Sequence, residues 1–280
     1  MNFKLIAVAL FISMASAISC NNSSSNNETK TAMDSTKNSS SENIKEDSIH
    51  YEIDGKRYDG FIFYNEDQKG KRPGIVVVHE WWGLTDYPKM RAKELAKLGY
   101  IALATDMYGN GDTAANAKEA QELATTFYKD PALAKTRLDA AINYLKTKPR
   151  TDTSKIAAIG YCFGGFVALN AAKLGSDLKG VVTFHGGLEG VKPPKGMKTK
   201  FLICHGGDDQ FENPNVAQFK KEMDSAGADY TFKIYPGATH AFSNPEATAL
   251  GQKFNMPIKY NAAADSASWN DMKAFLKKLF

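Results

Sequence analysis

A cysteine, an aspartate and a histidine occur along the chain in an order that suits nucleophilic catalysis. Cys162 lies in the glycine-flanked segment "IGYCFGG", between an apolar run and a segment of small residues. Asp208 and Asp209 follow the run "FLICHGG", and His240 follows the turn "YPGAT". A nucleophile needs a base within hydrogen-bond reach and a third group that orients the base. Spacing alone leaves a structural thiol, and either aspartate, as open alternatives.

The turn around Cys162 has the outline of a G-x-S-x-G nucleophile elbow with cysteine in the place of serine. Gly160 and Gly164 would leave room where a β-carbon would collide in a strained, closely packed turn. A helix that starts at Phe163 would direct free N–H groups and its positive dipole end at the thiol, favouring thiolate and a developing oxyanion. We therefore expect the backbone N–H of Phe163 to be the first oxyanion donor. The order of nucleophile, acid and histidine is the one that α/β-hydrolases use.

The elements that must position these residues alternate between short apolar runs and helix-length segments. The runs are "GIVVVHE", "YIALATD", "KIAAIG", "KGVVTFHG", "KFLICHG" and "YTFKIYPG". An opening antiparallel pair, "IHYEIDG" and "RYDGFIFY", precedes them. This alternation predicts an α/β fold, with a mainly parallel central sheet covered by helices on both faces, in a single domain over residues 49–280. Right-handed crossovers then bring the strand-to-helix loops together at the carboxyl edge of the sheet.

Glu80 follows the first parallel strand and precedes Trp81 and Trp82. Between a buried strand and two indoles its carboxyl group should be poorly hydrated, which raises a carboxyl pKa unless a cation or donors compensate. A solvent-facing glutamate at the start of a loop is the alternative. Since two adjacent indoles on a loop cannot both point the same way, we expect one of them to line the pocket.

Composition argues against several other classes of protein. The formal net charge of +4 arises from 35 basic and 31 acidic residues without a run of like charges, so nucleic-acid binding is not indicated. The five histidines lack the spacing of a metal site, and no phosphate-binding glycine motif is present. We therefore expect neither metal nor cofactor. Cys204, inside the apolar run "FLICHG", is expected to be a core thiol.

The N-terminal region predicts export. Residues 1–19 combine Lys4, an apolar stretch and small residues before Cys20, as a lipoprotein-type signal peptide does. Ordinary cleavage remains the alternative because Ala17 stands where leucine is usual. Residues 20–48 are rich in Asn and Ser and nearly free of apolar side chains, which predicts a disordered tether. We expect Cys20 to be lipidated and the protein to belong to the bacterial cell envelope, held at a membrane only by this anchor, or to be periplasmic.

Residues 50–280 resemble the dienelactone hydrolase family of α/β-hydrolases. The segments that carry the resemblance are "VVVHEWWGL", "GYIALATDMYG", "IGYCFGG", "HGGDDQF" and "YPGATHAF". The resemblance implies that Cys162 is the nucleophile and that Asp209, rather than its neighbour, orients His240. It also implies that Glu80 helps to generate the thiolate and that Trp81 supplies the second oxyanion N–H.

Two further expectations concern the pocket. We expect Trp82 and Tyr161 to line it, and the segment 245–265 to cover it as an irregular stretch. Well-studied dienelactone hydrolases bind a substrate carboxylate with arginines, one of them shortly after the catalytic histidine. Asn244 stands at that place here, so the carboxylate clamp is not carried over.

The sequence thus predicts hydrolysis of a small ester or lactone through a thioester intermediate, in the manner of a carboxymethylenebutenolidase. The alternative is a non-catalytic envelope protein that binds a ligand or responds to redox conditions on a hydrolase scaffold. A peptidase-like acyl hydrolase is a weaker alternative, because no groove for an extended chain is indicated. The oligomeric state is left open.

Overall fold

The structure, a computed structural model, describes residues 43–280 and is built on one eight-stranded sheet. Its strands are β1 (Ile44–Ile53), β2 (Lys56–Asn65), β3 (Arg72–Val78), β4 (Ile101–Thr105), β5 (Thr151–Tyr161), β6 (Gly180–Phe184), β7 (Lys200–Gly206) and β8 (Tyr230–Tyr235). They lie in the order β1-β2-β4-β3-β5-β6-β7-β8. Strands β3 to β8 are parallel, whereas β1 and β2 form an antiparallel hairpin at one edge. The predicted α/β fold is confirmed.

Seven helices cover the described part of the sheet. They are α1 (Asp86–Lys97), α2 (Ala117–Lys129), α3 (Pro131–Lys146), α4 (Phe163–Lys173), α5 (Val216–Ala226), α6 (Ala247–Phe254) and α7 (Ala262–Leu279). Local signals set several of their ends: the Asn116 side chain accepts the Glu119 N–H at the start of α2, and Asp130 with Pro131 opens α3. Gly227, in the left-handed region, ends α5.

The sheet separates two hydrophobic cores, because successive side chains of a strand point to opposite faces. In β3, Val76 and Val78 contribute to one core, and Ile75 and Val77 contribute to the other. Helices α3 and α4 pack against the first core, and α1 and α7 against the second. Each fully buried aliphatic side chain contributes roughly 1.5–3 kcal/mol, so burial on both faces holds the strand ends rigidly in place.

The strand order places a crevice above the middle of the sheet. The chain leaves β3 for β4 on one side and returns in β5 on the other, so the loops after β3 and β5 diverge. In open α/β sheets ligands bind at such a switch point. Glu80 follows β3 and Cys162 follows β5, while Asp209 and His240 follow β7 and β8 at the same edge.

Two expectations about segment boundaries were wrong. Residues 44–48, predicted to belong to the tether, are the first half of β1, where they pair with β2 in a continuous antiparallel register. The segment 245–265 is not irregular: it contains α6 and the start of α7. Residues 1–19, Cys20 and the tether up to residue 42 lie outside the described residues. Within residues 43–280 no helix combines the length and the apolar character needed to cross a membrane.

Candidate active site

Cys162 occupies a strained turn between β5 and α4. Its backbone has φ 51° and ψ −114°, which a residue with a β-carbon rarely adopts. The flanking glycines are required by close backbone contacts. A β-carbon on Gly160 would lie 2.0 Å from Gly164 O, and one on Gly164 would lie 2.3 Å from Val78 O. Helix α4 begins at Phe163, whose N–H has no acceptor within the helix and lies beside the cysteine.

His240 connects Cys162 to Asp209. Its Nε2 lies 3.1 Å from Cys162 Sγ, and its Nδ1 lies 2.8 Å from Asp209 Oδ2. Asp208, the neighbour that spacing could not exclude, is exposed to solvent. The hydrogen-bonded chain thus joins Cys162, His240 and Asp209, the three residues that the resemblance implied. Of the two neighbouring aspartates, it contains the one that the resemblance selected.

The carboxylate of Asp209 is fully buried and held from two sides. The backbone N–H groups of Phe211 and Glu212 donate to Oδ1 at 3.0 and 3.2 Å, while His240 occupies Oδ2. Burial alone would raise the pKa of Asp209, but the hydrogen bond and charge of His240 outweigh it and the pKa lies below the usual value. Asp209 is therefore an ionised, fixed acceptor for the imidazole N–H.

The surroundings of His240 favour its protonated form. Burial works against the charge, but the nearby charge of Cys162 and the hydrogen bond to Asp209 raise the pKa of His240 well above its usual value. A second imidazole, His185, packs edge-on against it with ring centroids 5.4 Å apart. Burial, together with the charge of His240, lowers the pKa of His185 well below its usual value. His185 therefore stays neutral beside a cationic His240.

Glu80 is buried, with 3% of its surface exposed, and faces the same cavity as Cys162. Its Oε2 accepts a 2.6 Å hydrogen bond from Asn244 Nδ2. Desolvation raises the pKa of Glu80 to about 7, although the Asn244 hydrogen bond and the charge of His240 lower it. The carboxyl group thus titrates near neutral pH.

The loop that carries Glu80 and Trp81 is held by two side chains that sequence reasoning did not select. His79 Nδ1 bonds to Glu80 O at 2.5 Å while its Nε2 accepts the Met107 N–H at 3.1 Å, so the ring is neutral. Burial lowers the pKa of His79, in agreement with that tautomer. Tyr108 donates from its hydroxyl to Trp81 O at 2.9 Å. His79 is part of the motif "VVVHEWWGL", but no sequence pattern indicates its contact with Met107, in the loop that follows β4.

The loop that carries His240 is held in a similar way. Arg91, on α1, donates to Ser243 O at 2.7 Å and to Asp265 Oδ1 at 2.5 Å, with its side chain almost fully buried. The hydroxyl of Ser243 lies 2.8 Å from both Tyr87 OH and His185 Nε2. These contacts span more than fifty residues in sequence, which is why no motif revealed them.

A cavity of about 450 Å³ opens above Cys162. The sequence predicts that one of the two neighbouring tryptophans lines it, but both Trp81 and Trp82 do. Their rings meet edge to face, with centroids 5.3 Å apart. Met256 and Ile258, from the segment 245–265, also line it, so this segment does cover the pocket.

The expectation that Tyr161 lines the pocket was wrong. Tyr161 is fully buried on the opposite side of the sheet, where its ring stacks on Phe184 and meets Tyr87 edge to face. The alternation of side chains along β5 directs position 161 into the core below the turn. Cys204 is the buried core thiol that was expected, and burial raises its pKa to about 12. No cluster of three or more metal-ligating side chains exists among residues 43–280.

A mainly parallel sheet with a cysteine elbow, a buried acid and a histidine in that order along the chain defines an α/β-hydrolase. Residues 58–280 match the model of the dienelactone hydrolase family, and the chain belongs to that family. It is thus a hydrolase of the kind that acts on esters or lactones.

Three similar proteins match most of the folded part. A solved dienelactone hydrolase-like promiscuous phosphotriesterase from metagenomic libraries is 34% identical, with a TM-score of 0.79 over 85% of this chain and 99% of the other. The "Putative carboxymethylenebutenolidase" of Aquifex aeolicus is 30% identical over 70% of this chain and 86% of its own length. "Protein usf" of Aquifex pyrophilus is 28% identical over 82% of this chain and 97% of its own length.

Proposed function

We propose that the protein hydrolyses a small ester or lactone with Cys162 as nucleophile, His240 as proton carrier and Asp209 as the group that orients His240. The observation that carries this proposal is the continuous hydrogen-bonded chain, 3.1 Å from Sγ to Nε2 and 2.8 Å from Nδ1 to Oδ2. Cys162 and His240 line the cavity, and Asp209 is buried behind His240. This hydrogen-bonded chain supplies the three groups that nucleophilic catalysis requires: a nucleophile, a base within hydrogen-bond reach and a group that orients the base.

Acylation begins when the Sγ proton passes to His240 Nε2 and the thiolate attacks the carbonyl carbon. The carbonyl π electrons move to oxygen, and the backbone N–H groups of Phe163 and Trp81 stabilise that oxyanion. Collapse of the tetrahedral intermediate breaks the bond to the alkoxy oxygen, which takes the proton from His240. The enzyme is then a thioester, and in a lactone the released alcohol stays attached to the acyl chain.

Deacylation repeats these steps with water. His240 accepts a proton from water, hydroxide adds to the thioester carbonyl, and the thiolate leaves and regains a proton from His240. Asp209 stays ionised throughout and stabilises the imidazolium that forms in each half-reaction. The pKa of His240, raised by Cys162 and Asp209 against the effect of burial, supports an imidazolium beside a thiolate.

Glu80 is assigned the role of a second carboxylate that tunes the cysteine. It lines the cavity together with Cys162, and its pKa of about 7 lets it exchange a proton near neutral pH. An ionised Glu80 stabilises the protonated form of the neighbouring His240 and thereby favours transfer of the thiol proton to His240.

The experiment that tests the proposal is hydrolysis of a small aryl ester by residues 43–280, followed by trapping of the acyl-enzyme in acid and mass spectrometry. Acylation confined to the peptide that contains Cys162, and absent from Cys162→Ser, is expected. A turnover that persists in Cys162→Ser and His240→Ala would identify a different catalyst, and no turnover in the parent protein would favour the non-catalytic alternative.

Phosphotriesters are a second candidate class of substrate. This class is favoured by the 34% identical relative described as a promiscuous phosphotriesterase, which matches 85% of this chain. A neutral phosphotriester presents an electrophilic phosphorus to the same thiolate. Release of the aryl alcohol from a diethyl aryl phosphate tests this candidate.

We also propose that Cys20 is lipidated and that the protein is held at a bacterial envelope membrane. The apolar stretch before Cys20 and the small residues that lead to it support this proposal. Mass spectrometry of the full chain, expressed in a bacterium that processes lipoproteins, should detect a diacylglyceryl group on Cys20 as the N-terminal residue. Cleavage elsewhere, with Cys20 removed or unmodified, would contradict it.

A further inference from the structure

The cavity above Cys162 combines aromatic walls with acidic side chains. Of its lining residues, Glu80, Glu189 and Glu212 are carboxylic acids, and none of the residues 43–280 that line it is a lysine or an arginine. An anion entering this space would meet these carboxylates without a lysine or an arginine to compensate them. A neutral group would meet no such repulsion, and a cation would be attracted.

The net charge around the cavity is negative wherever the catalytic proton resides. Cys162 and His240 sum to zero both as thiol with neutral imidazole and as thiolate with imidazolium. Asp209, behind His240, adds one negative charge, and its pKa lies below the usual value because the hydrogen bond and charge of His240 outweigh burial. Any ionised carboxylate among the residues that line the cavity, which we call the cavity wall, therefore adds to a site that is already negative.

Glu212 is the best-defined acidic residue of the wall. Its Oε2 accepts hydrogen bonds from the Leu188 N–H at 2.9 Å and from Asn215 Nδ2 at 3.2 Å. Burial raises the pKa of Glu212, whereas both donors work against that rise and hold the carboxylate in one orientation. No group of the described residues donates to Oε1, which leaves that oxygen available to a ligand. Glu189, in contrast, is exposed at the rim.

The aromatic side chains supply a second, independent observation. Phe211 and Tyr128 are large aromatic residues that stay 48% and 38% exposed, and both line the cavity together with Trp81 and Trp82. The Phe211 ring stands edge-on to the imidazole of His240, with centroids 5.3 Å apart, directly at the reacting centre. Aromatic faces attract cations and apolar groups, and this attraction is stronger where water is excluded.

Four lysines lie near the lining residues in sequence but do not themselves line the cavity: Lys129, Lys192, Lys253 and Lys259. Lys253 places its Nζ 4.9 Å from the centroid of Phe254, whose other neighbour is the ring of Trp82. Lys253 is exposed and lies outside the cavity lining. The place after His240 at which a carboxylate-binding arginine would stand holds Asn244, whose amide is directed to Glu80.

We infer that the cavity selects uncharged and cationic esters or lactones that carry an apolar or aromatic group, and that it discriminates against carboxylated substrates. This inference rests on the proposed function, because it names the substrate class of the same site. The cavity of about 450 Å³ is large enough to hold the whole of a small ester. A charged group on either the acyl side or the alcohol side of the scissile bond therefore faces the same carboxylates, Glu80, Glu189 and Glu212.

A matched series of aryl esters tests the inference. Three substrates share the leaving group and the acyl chain length, and the acyl chain ends in a tert-butyl, a trimethylammonium or a carboxylate group. The expected kcat/KM of the carboxylated ester is at least about fivefold below that of the tert-butyl ester, and the trimethylammonium ester shows no such loss. A loss smaller than about fivefold for the carboxylate, or a preference for it, overturns the inference.

Charge-neutralising variants decide whether the wall is the cause. In Glu212→Gln and in Glu189→Gln the ratio of kcat/KM for the neutral and the carboxylated ester should fall by about twofold or more, and added salt should reduce the Glu189 effect more strongly. Glu52→Gln, which removes an exposed charge on β1, is the matched control and should keep the parent ratio. A ratio that stays constant in both wall variants overturns the inference.

The ratio separates this inference from damage to the fold and from failure of the proposed function. A variant that is merely destabilised loses rate with both esters and keeps the ratio. If no ester in the series is hydrolysed by the parent protein, the proposed function fails. If the neutral ester is hydrolysed and the carboxylated ester is equally good, the proposed function stands and the charge selectivity fails.

Discussion

Asn244 Nδ2 donates a 2.6 Å hydrogen bond to Glu80 Oε2, and both side chains are buried. Asn244 lies four residues after His240, so the loop that carries the base also fixes the second carboxylate of the site. The amide donates to the carboxylate without adding a charge, whereas an arginine at this place would add one. Glu80 can therefore keep a pKa of about 7, raised by burial and only partly lowered by its donor and by His240.

Replacement of Asn244 by alanine should move the pH dependence of activity. Loss of the donor removes an interaction that lowers the pKa of Glu80, so the pKa rises and the ionised form appears only at higher pH. Since ionised Glu80 is the active form in the proposed mechanism, the acid limb of kcat/KM should shift upward. Below pH 7 the rate should fall by about tenfold, the value of one hydrogen bond to a charged group.

The pH profile of aryl ester hydrolysis measures this effect. The parent protein should show an acid limb near pH 7, and Glu80→Gln should lose it. Asn65→Ala, remote from the site at the end of β2, should keep the parent profile. An acid limb at the same pH in the parent protein and in Asn244→Ala would show that Glu80 does not control it.

Alkylation should distinguish the two cysteines of the described chain. Cys162 lines the cavity next to a histidine that is prone to hold a proton, whereas Cys204 is fully buried with a pKa raised to about 12 by desolvation. Because the thiolate is the reactive form, iodoacetamide should label Cys162 at least about a hundredfold faster at neutral pH. Peptide mass spectrometry measures both rates.

Activity should be lost in step with labelling of Cys162. Cys204→Ala is the matched control, and iodoacetamide should inactivate it at the same rate as the parent protein. Equal labelling of the two thiols, with hydrolysis intact, would exclude Cys162 as the nucleophile.

The neighbouring aspartates provide a matched pair of variants. Asp209→Asn keeps the shape of the side chain but removes the charge that orients and stabilises the imidazolium of His240. By analogy with other triads kcat should fall by about a thousandfold or more. Asp208→Asn changes an exposed side chain one residue away and should leave kcat within about twofold of the parent value.

Steady-state kinetics on an aryl ester decides between the aspartates. His240→Ala should lose as much activity as Asp209→Asn or more, and the double variant should lose little beyond His240→Ala because the residues act as a unit. Similar losses in Asp208→Asn and Asp209→Asn would contradict the assignment of Asp209.

The elbow glycines should be intolerant of alanine because of contacts rather than of flexibility. A β-carbon on Gly160 would lie 2.0 Å from Gly164 O, a backbone atom that cannot move aside without distorting the start of α4. Gly160→Ala should therefore lower the free energy of unfolding by about 3 kcal/mol or more. Gly175→Ala, with a positive φ but no atom within 4 Å, should cost about 1 kcal/mol.

Urea denaturation of both variants, with the parent protein as reference, measures the difference. Equal losses at positions 160 and 175 would mean that the elbow relaxes, and the steric account of its glycines would be wrong.

The sequence predicted the parts of the fold and site that depend on local pattern. Continuous apolar runs fixed the parallel strands, and the order of Cys162, Asp209 and His240 identified a possible triad before any contact was known. The start of α4 at Phe163 was predicted to the residue. Tyr161 was misplaced because a strand residue next to the nucleophile points to the opposite face of the sheet, which a motif does not reveal.

Residues that act through long-range contacts were not predictable. The sequence indicates only that Asn244 is not an arginine, whereas its hydrogen bond to Glu80 joins positions 164 residues apart. The same holds for Tyr108, which fixes the Trp81 carbonyl. The polar side chains in the first half of β1 predict a tether, but these residues pair with β2 through backbone hydrogen bonds, which side-chain hydrophobicity does not report.

The buried ion pair between Arg91 and Asp265 should matter for both stability and catalysis. The Arg91 side chain is 6% exposed, and its guanidinium bonds both Asp265 Oδ1 and the carbonyl of Ser243, next to Asn244. Asp265→Ala removes the more buried of the two carboxylates that pair with Arg91 and leaves only Glu94, at 3.0 Å. The cost should therefore be about 3 kcal/mol, the lower end of the value for breaking a buried ion pair. Asp177→Ala, which breaks an exposed pair with Lys146, should cost no more than about 1 kcal/mol.

A kinetic readout separates the positioning role of Arg91 from stability alone. Without Asp265 the guanidinium is free to turn away from Ser243 O, so the loop that carries His240 and Asn244 loses one anchor. The donor to Glu80 is then less well held, and the acid limb of kcat/KM should shift to higher pH, as in Asn244→Ala. Measured well below the unfolding temperature, an unshifted limb in Asp265→Ala would mean that the pair stabilises the fold without positioning the site.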